Sequence, residues 1–339
     1  MHAQTAKPAT GANGKMVSVI GGSGFIGRHA VAALARHGWR IRIICRRPDL
    51  AYFLQPLGGA GQIAFVQANV RNAKSLKEAV KGSDAVVNLA GILYERGKNT
   101  FEAVHVRGAE AAARAARDAG AETFVHVSAI GADAGSPAAY GRSKAEGERR
   151  VRMAFPDAVI LRPSVVVGPE DRFFNLFADM SRFSMILPLI GGGHTRFQPV
   201  YVGDVASAIC AVLADGAQAG KTFELGGPES WTFRELLEFM LMVIRRKRLL
   251  LPLPFGLARA IAWPLQFAPG APLTPDQVNM LRKDNLVSEA ARREGRTLEG
   301  LGIAPEGIEA IVPAYLARYR PAGQFTIIRE ALADMLAAK

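Results

Sequence analysis

A glycine-rich turn set directly between a strand and a helix constrains this chain more than any other feature of its sequence. The apolar run Met16–Ile20 leads into Gly21, Gly24 and Gly27, and helical periodicity follows over 26–36. In this spacing the first glycine permits a tight turn, the second admits a pyrophosphate close to the backbone, and the third lets helix and strand pack closely. Any tight turn can use glycine, but here strand, turn, helix and second strand fall within about 30 residues, as a dinucleotide site requires. The expected contacts are Gly21, Ser23, Gly24, Phe25, Ile26, Gly27 and Arg28.

Short β-branched runs alternate with helical stretches from Met16 onward. After the glycine turn we predict an alanine-rich helix over 103–119 and strands at Arg40–Cys45, 62–66, 84–89, 122–128 and 158–162. Such alternation is typical of a parallel sheet covered by helices on both faces. The sequence therefore predicts an α/β fold, a Rossmann doubly wound parallel sheet.

The pattern changes after Thr232. Helices are predicted over 233–248, 276–285 and 323–338, and the segment 249–269 is apolar but interrupted by prolines. This part is expected to form a smaller, mostly helical C-terminal subdomain. The predicted domains are a disordered N-terminal arm (1–15), an NAD(P)-binding Rossmann domain (16–231) and a C-terminal helical subdomain (232–339).

Charge and cysteine content narrow the range of partners. The net charge of +12 is spread along the chain, and no nucleic-acid motif accompanies it, so we expect no nucleic-acid partner. The two cysteines, Cys45 and Cys210, lie far apart in apolar surroundings, which favours a reducing compartment and neither a disulfide nor a metal site. No apolar run is long enough to span a bilayer. Residues 1–15 have neither an apolar core typical of secretion nor an arginine typical of mitochondrial import, so the expected location is cytoplasmic.

Cofactor choice is decided near the end of the second strand. A carboxylate there would bind a ribose 2′-hydroxyl and repel a 2′-phosphate. This chain has Cys45-Arg46-Arg47 instead, and Arg28 follows the last glycine of the turn. Guanidinium groups suit a phosphate, so NADP(H) is favoured over NAD(H). The alternative is that two of these arginines merely lie on the surface.

Three motifs together give the chain a family likeness. The glycine turn, the run Asn88-Leu89-Ala90-Gly91 and the run Tyr140-Gly141-Arg142-Ser143-Lys144 resemble those of the extended and atypical short-chain dehydrogenase/reductases. The resemblance implies that Asn69 and Val70 lie against the adenine. It also implies cofactor contacts from Leu89, Ala90, Gly91, Val127, Ser128, Tyr140, Lys144 and Pro163.

The same resemblance puts catalysis in question. Tyr140 and Lys144 match the pair that exchanges a proton in this superfamily, where the lysine and the cofactor lower the pKa of the tyrosine. The serine that completes the group in relatives is matched by Ala129, and His105 opens a helix that usually begins with Asn. These departures suggest a site that holds the cofactor without much turnover, in which Tyr140 and Lys144 bind the nicotinamide ribose.

A narrower resemblance comes from the middle of the chain. The strings Glu170-Asp171-Arg172-Phe173 and Gln198-Pro199-Val200-Tyr201-Val202 are similar to those of the NADPH-binding accessory subunits of respiratory complex I and their bacterial homologues. The resemblance implies a non-catalytic accessory or assembly subunit of NADH:quinone oxidoreductase. Its partners would be complex I subunits near the quinone site, on the cytoplasmic face of a bacterial inner membrane or the mitochondrial matrix side.

Two other functions stay open. One is an active NADP-dependent short-chain reductase, dehydrogenase or epimerase acting on a small or quinone-like substrate. The other is a stand-alone sensor that reports NADPH to a partner. Ala129 favours the accessory subunit and the sensor over the enzyme.

The segment 245–269 combines charge with apolar side chains. Four basic residues, Arg245-Arg246-Lys247-Arg248, precede an apolar run, and Trp263 and Phe267 follow. Basic residues beside apolar and aromatic ones suit a membrane surface or a groove on a partner subunit. The alternative is a subdomain core flanked by a solvated charge run, and periodicity does not separate the two.

Replacing both Arg46 and Arg47 with Ala is expected to weaken NADPH binding more than NADH binding, because only NADPH carries the 2′-phosphate. Titration of the purified variant with each nucleotide measures the two losses. An equal loss of both affinities would contradict a role for these arginines at the 2′-phosphate.

Overall fold

The computed structural model describes residues 14–268, 270–321 and 323. The predicted arm 1–15 and the predicted helix 323–338 lie almost wholly outside the described residues. The strands are β1 (Met16–Ile20), β2 (Arg40–Cys45), β3 (Ile63–Gln67), β4 (Ala85–Asn88), β5 (Thr123–Val127), β6 (Val159–Pro163), β7 (Val166–Val167), β8 (Ile186–Ile190), β9 (Arg196–Phe197), β10 (Val200–Tyr201), β11 (Thr222–Leu225), β12 (Trp231–Thr232) and β13 (Leu249–Leu253). The α-helices are α1 (Phe25–Arg36), α2 (Ala73–Ala79), α3 (Arg107–Asp118), α4 (Ala139–Ala154), α5 (Phe174–Phe183), α6 (Val202–Ala214), α7 (Phe233–Val243), α8 (Phe255–Leu265), α9 (Pro275–Met280), α10 (Glu289–Arg293) and α11 (Ile308–Leu316).

Seven strands form one parallel sheet in the order β11-β6-β5-β4-β1-β2-β3. Strand β1 lies between β2 and β4, so the chain builds the sheet outward from β1 in one direction and then from β4 in the other. Ligands of doubly wound sheets bind at such a switch point, beyond the carboxyl ends of the strands. The predicted α/β Rossmann fold is confirmed.

The chain divides into two compact units whose segments alternate along the sequence. In described residues, the first comprises 14–163, 202–225 and 288–304, and the second comprises 164–201, 226–287 and the chain from 305. No single cut in the sequence separates these units, and the predicted domain boundary after residue 231 stays a prediction.

Small side chains hold the first unit together. Ala112, Ala113 and Ala116 on α3 are fully buried, and they let that helix pack closely against α2 and α4. Phe124 fills the space beneath them and contacts Phe155 at 5.8 Å between ring centroids. The alanine-rich sequence therefore brings α4, which carries Tyr140 and Lys144, close to the central strands.

A cluster of aromatic side chains forms the centre of the second unit. Phe233 is buried and lies within 6.0 Å of both Phe173 and Phe177, measured between ring centroids. The carboxylate of Asp171 accepts hydrogen bonds from the backbone N–H of Gly168 and from the hydroxyl of Tyr315. Asp171, from the charged string that the sequence singled out, therefore fixes the loop before α5.

One predicted helix, 233–248, is too long. Helix α7 ends at Val243, since Arg245 adopts a left-handed backbone with φ of 54° and the N–H of Arg246 bonds to the carbonyl of Leu241. Residues 249–253 then pair as β13 with β8. Residues 249–253 form a strand and not a helix because they pair with the edge of β8, which lies far away in the sequence.

Two further helices differ from their predicted bounds. Helix α9 covers Pro275–Met280 and not 276–285, because Asn285 turns away and donates its N–H to the carbonyl of Arg196. The predicted helix 103–119 is split into a π-helical turn, Glu102–Val106, and helix α3. The predicted mostly helical character beyond Thr232 is confirmed. Among the described residues, none of the helices has both the length and the apolarity that a membrane crossing requires.

Breaking the ion pair between Arg162 and Glu148 should strongly destabilise the first unit. It is bidentate, at 2.9 and 2.6 Å, and the Glu148 side chain is only 8% exposed. Replacing Arg162 with Met leaves a buried carboxylate unpaired and should lower the free energy of unfolding by about 3 kcal/mol in urea denaturation. As a control, Lys77→Met removes an exposed pair with Asp118 and should cost less than about 1 kcal/mol. Equal losses in the two variants would contradict this view.

Candidate functional site

The glycine turn has the geometry that a dinucleotide site needs. Gly21 has a φ of +80°, and its N–H donates to the carbonyl of Ile44 at 2.9 Å. A Cβ on Gly27 would lie 2.5 Å from the carbonyl oxygen of Gly21, so only glycine lets α1 approach the turn this closely. Helix α1 begins after Gly24, which offers no capping side chain, and no acidic residue occupies its first turn. Its first N–H groups are therefore available to an anion.

The loop after β4 closes over the same turn. A Cβ on Gly21 would lie 3.3 Å from the backbone nitrogen of Ala90, so the two backbones are almost in contact. Asn88 shapes this loop, because its side-chain oxygen accepts the N–H of Ala90 at 3.2 Å. Gly91 is exposed and comes close to α4: a Cβ there would lie 3.6 Å from Nζ of Lys144.

The arginines near the end of β2 have different surroundings. Arg46 is exposed and has no carboxylate partner in the part of the chain that the structure describes. Arg47 is also exposed, and its Nε lies 3.9 Å from the carboxylate of Asp49. The guanidinium of Arg28 lies over the ring of Phe53, 5.0 Å from its centroid. Neither Phe53 nor Asp49 was predicted from the sequence, although both follow closely after β2.

The predicted adenine contacts follow β3. The side-chain oxygen of Asn69 accepts the N–H of Arg71 at 3.0 Å, which makes a local turn. Of the pair Asn69 and Val70, the polar group that could contact adenine is then the side-chain amide nitrogen of Asn69. Val70 lies against Gly108, where an added Cβ would come within 3.3 Å of the valine side chain. Gly108 thus brings the start of α3 close to this loop.

Tyr140 and Lys144 lie one turn apart on α4. The ammonium of Lys144 is buried, donates to the carbonyl of Val127 at 3.3 Å and lies 5.9 Å from the centre of the Tyr140 ring. Removal of water lowers the pKa of Lys144 to about 8 and raises the pKa of Tyr140 to about 12. In this arrangement burial, and not the lysine, dominates the pKa of the phenol. The phenol therefore keeps its proton near neutral pH.

His105 ties three segments of the site together. Its Nε2 accepts the N–H of Ile92 at 3.0 Å, so the proton of the neutral ring lies on Nδ1, which donates to Oγ of Ser143 at 2.9 Å. Ser143 in turn donates to the carbonyl of Tyr140 at 2.8 Å. Both ring nitrogens are thus used to hold the β4 loop on α4. Burial, with the charge of Lys144, lowers the pKa of His105 to about 2.

Two polar atoms near the end of β5 lack partners. Within the described residues, Oγ of Ser128 and Nε2 of His126 are buried and make no hydrogen bond. The amide nitrogen of Asn88 lies 3.1 Å from Nδ1 of His126, so Nδ1 accepts and Nε2 carries the unsatisfied proton. Burial lowers the pKa of His126 to about 3. Buried polar groups of this kind are costly unless a ligand or water meets them.

The predicted residues converge on one edge of the sheet. Each of the first six parallel strands contributes at or just beyond its carboxyl end: Gly21 after β1, Arg46 after β2, Asn69 after β3, Leu89 after β4, Ser128 after β5 and Pro163 at the end of β6. The carbonyl of Pro163 accepts the N–H of Ile130 at 2.9 Å and so links the last two strand ends. All of the predicted site residues belong to the first unit.

Named relatives of two kinds match the chain. The chain is 36% identical over 323 residues to mitochondrial NADH dehydrogenase (ubiquinone) 1 alpha subcomplex subunit 9 of Arabidopsis thaliana, which covers 92% of this chain and 79% of that protein. It is also 37% identical over 204 residues to the ceramide reductase of Caulobacter vibrioides, covering 60% of this chain and 62% of that protein. The similarity to the first group therefore extends much further along the chain.

A solved structure shares the fold. The dTDP-glucose 4,6-dehydratase DesIV from Streptomyces venezuelae, solved with NAD and TYD bound, superposes with a TM-score of 0.66. The match covers 90% of this chain and 96% of that one at 22% identity.

The neutral histidines should make the stability of the protein depend on pH. His105 and His126 have pKa values of about 2 and 3 when folded, against 6.5 ordinarily, so the unfolded chain binds more protons below about pH 6.5. Stability is therefore full above that pH and is lost as the pH falls. Between pH 7 and pH 5 each histidine should cost up to about 2 kcal/mol in urea denaturation.

Two measurements check this origin of the loss. In NMR titrations both imidazoles should remain neutral at pH 5. The double variant His105→Asn and His126→Asn should show a shallower decline between the two pH values. Ordinary titration of either buried ring would contradict the prediction.

Membership of a family rests on more than half of the chain. Residues 17–226, which include every predicted site residue, match the model of the NAD dependent epimerase/dehydratase family. The parallel sheet, its switch point and the glycine turn are the elements with which such proteins bind NAD(P). The chain belongs to the NAD dependent epimerase/dehydratase family and carries its NAD(P)-binding Rossmann fold.

Proposed function

We propose that this protein is an NADP(H)-binding, non-catalytic accessory or assembly subunit of NADH:quinone oxidoreductase, respiratory complex I. One observation carries the proposal: the elements that bind a dinucleotide are complete, whereas Ala129 stands where relatives have the serine that polarises a substrate oxygen. A bound nicotinamide dinucleotide would supply a hydride donor, and the residues around it favour its retention over its turnover.

The basic residues at the end of β2 support NADP(H). No carboxylate occupies the position where a ribose 2′-hydroxyl would be bound, since the strand ends in Cys45. Arg46 is exposed without a carboxylate partner among the described residues, which leaves it available to a phosphate. The guanidinium of Arg28, which follows the glycine turn, lies over the ring of Phe53. Arg47 contributes less, because Asp49 competes for its guanidinium.

The surroundings of Tyr140 support a site without turnover. Ala129 stands where relatives have a serine, so no hydroxyl at that position polarises a substrate oxygen. His105 replaces an asparagine, and both of its nitrogens are occupied by Ile92 and Ser143. Tyr140 and Lys144 would then hold the nicotinamide ribose by hydrogen bonds. Gly21, Ser23, Gly24 and the first turn of α1 would hold the pyrophosphate.

Similarity along the chain supports the partner. The relative from Arabidopsis is named as a subunit of mitochondrial NADH dehydrogenase, and the aligned region covers most of both chains. We place this protein with complex I subunits near the quinone site. In a bacterium that position is peripheral on the cytoplasmic face of the inner membrane, and in a mitochondrion it is on the matrix side.

A specific observation favours a second function, an NADP-dependent reductase of a lipid-like carbonyl compound. The buried hydroxyl of Ser128 and the N–H of His126 lack partners within the described residues, and both could meet a polar ligand. A relative over 204 residues is named ceramide reductase. The raised pKa of Tyr140 favours a phenol that donates a proton over one that accepts it.

The test is to purify the protein gently, denature it and identify the released nucleotide by mass and absorbance. We expect about one NADPH per chain that survives washing and is not oxidised by added quinones or ceramide-like ketones. Purification from membranes should recover complex I subunits with the protein. The variant Ala129→Ser serves as a matched control, because restoring the hydroxyl alone should leave the nucleotide bound.

Three results would decide against the proposal. An empty site that turns over NADPH with an added carbonyl compound would favour the reductase. Bound NADH in place of NADPH would refute the cofactor choice. Stoichiometric NADPH without any complex I subunit would favour a stand-alone sensor.

A further inference from the structure

The second unit exposes many large apolar side chains. Ten of the seventeen strongly exposed ones in the described chain lie between residues 183 and 267. They are Phe183, Met185, Ile186, Met242, Leu249, Leu251, Leu257, Ile261, Trp263 and Phe267. Exposed apolar side chains in such number usually mark a surface that something else covers.

Several of these side chains belong to elements that contact one another, because α5 contacts both α7 and β8, and β8 pairs with β13. Leu249 of β13 is paired with Ile186 of β8, and its N–H donates to the carbonyl of Met185 at 2.9 Å. Residues 249 and 251 both point away from the protein, so β13 is apolar on its outer side as well as its inner side. The next element, α8, follows β13 directly.

Helix α8 is unusual for a surface helix. Only Ala258 and Ala262 of its eleven residues are buried, and Arg259 is its single charged residue. Trp263 is 64% exposed, and Phe267 just beyond the helix is 74% exposed, with the two rings 5.8 Å apart. A helix that is apolar on nearly all sides needs an apolar environment.

A cavity lined by basic residues lies beside the apolar side chains of β13. Its volume is about 460 Å³, and Arg246, Lys247 and Arg248 line it together with Leu249 and Leu250. Arg246 and Arg248 are fixed by hydrogen bonds from their Nε atoms to the carbonyls of Tyr319 and Ser181. Lys247 is exposed.

The positive charge of this surface favours an anionic occupant. Residues 245–268 contain five basic side chains and no acidic one. The only acidic residue that lines the cavity, Glu238, lies 3.6 Å from the guanidinium of Arg234. Apolar side chains edged by lysine and arginine complement an anionic bilayer, whose phosphates meet the cations while aromatic rings enter the interface.

We propose that the basic cavity and the exposed apolar side chains between 183 and 267 form a docking surface for an anionic phospholipid membrane. A lipid phosphate occupies the cavity beside Lys247, and Trp263 and Phe267 enter the headgroup region. This attachment needs neither a bound nucleotide nor a partner subunit, so it stands independently of the proposed function.

The experiment uses the purified full-length chain and flotation with two kinds of vesicle, phosphatidylcholine alone and phosphatidylcholine with phosphatidylglycerol. We expect binding to the anionic vesicles, weakened by salt, and little binding to the neutral ones. The double variant Lys247→Glu and Arg259→Glu should lower the affinity at least about tenfold. The double variant Trp263→Ser and Phe267→Ser should lower it while leaving the salt dependence unchanged.

Matched controls lie in the first unit. Lys74→Glu reverses an exposed charge and Met153→Ser removes an exposed apolar side chain, and both should bind vesicles as the wild type does. Nucleotide content and thermal unfolding show whether each variant is folded. Failure of the wild type to float with anionic vesicles, or equal losses in the controls, would overturn the proposal. A self-associating protein whose dimer is broken by Trp263→Ser would overturn it too, in favour of a second copy on this surface.

Discussion

The contact between Gly27 and the carbonyl of Gly21 is the constraint on which the nucleotide site depends. It sets how closely α1 approaches the end of β1, and so aims the N-terminus of that helix at the switch point of the sheet. The loop after β4 then comes within contact distance of the same turn. A side chain at either glycine would separate these backbones, and the positions of Leu89 and Ala90 would change with them.

Binding and chemistry make opposite demands on the groups around Tyr140. A buried, closely packed site retains a ligand well, because hydrogen bonds are stronger away from water. The same burial lowers the pKa of Lys144 to about 8 and raises the pKa of Tyr140 to about 12, so the phenol is protonated and can donate a proton more readily than it accepts one. His105 strengthens the packing by joining the β4 loop to α4. The packing that would hold a cofactor here therefore also makes the phenol a poor base.

Sequence reasoning succeeded where the signal was local and failed where distant segments meet. The glycine turn and the strand Arg40–Cys45 are encoded in short patterns, and the structure has them at the predicted positions. The end of α7 was missed because β8 decides it from far along the chain. The hydrogen bond between His105 and Ser143 joins residues 38 positions apart, and no periodicity in the sequence predicts it. The stacking of Phe53 on Arg28 could not be predicted either, because the two residues are far apart in the sequence.

The π-helical turn at 102–106 has a consequence for how this site can vary. Each of its hydrogen bonds spans one residue more than in an α-helix, so the turn holds an extra residue within an otherwise regular helix. Deleting a single residue there would restore the α-helical repeat and rotate His105 away from Ile92 and Ser143. Length, and not residue identity, is therefore the first property to compare when homologous chains are aligned across this helix. In a chain one residue shorter, a histidine aligned with His105 would not occupy the same position in the structure.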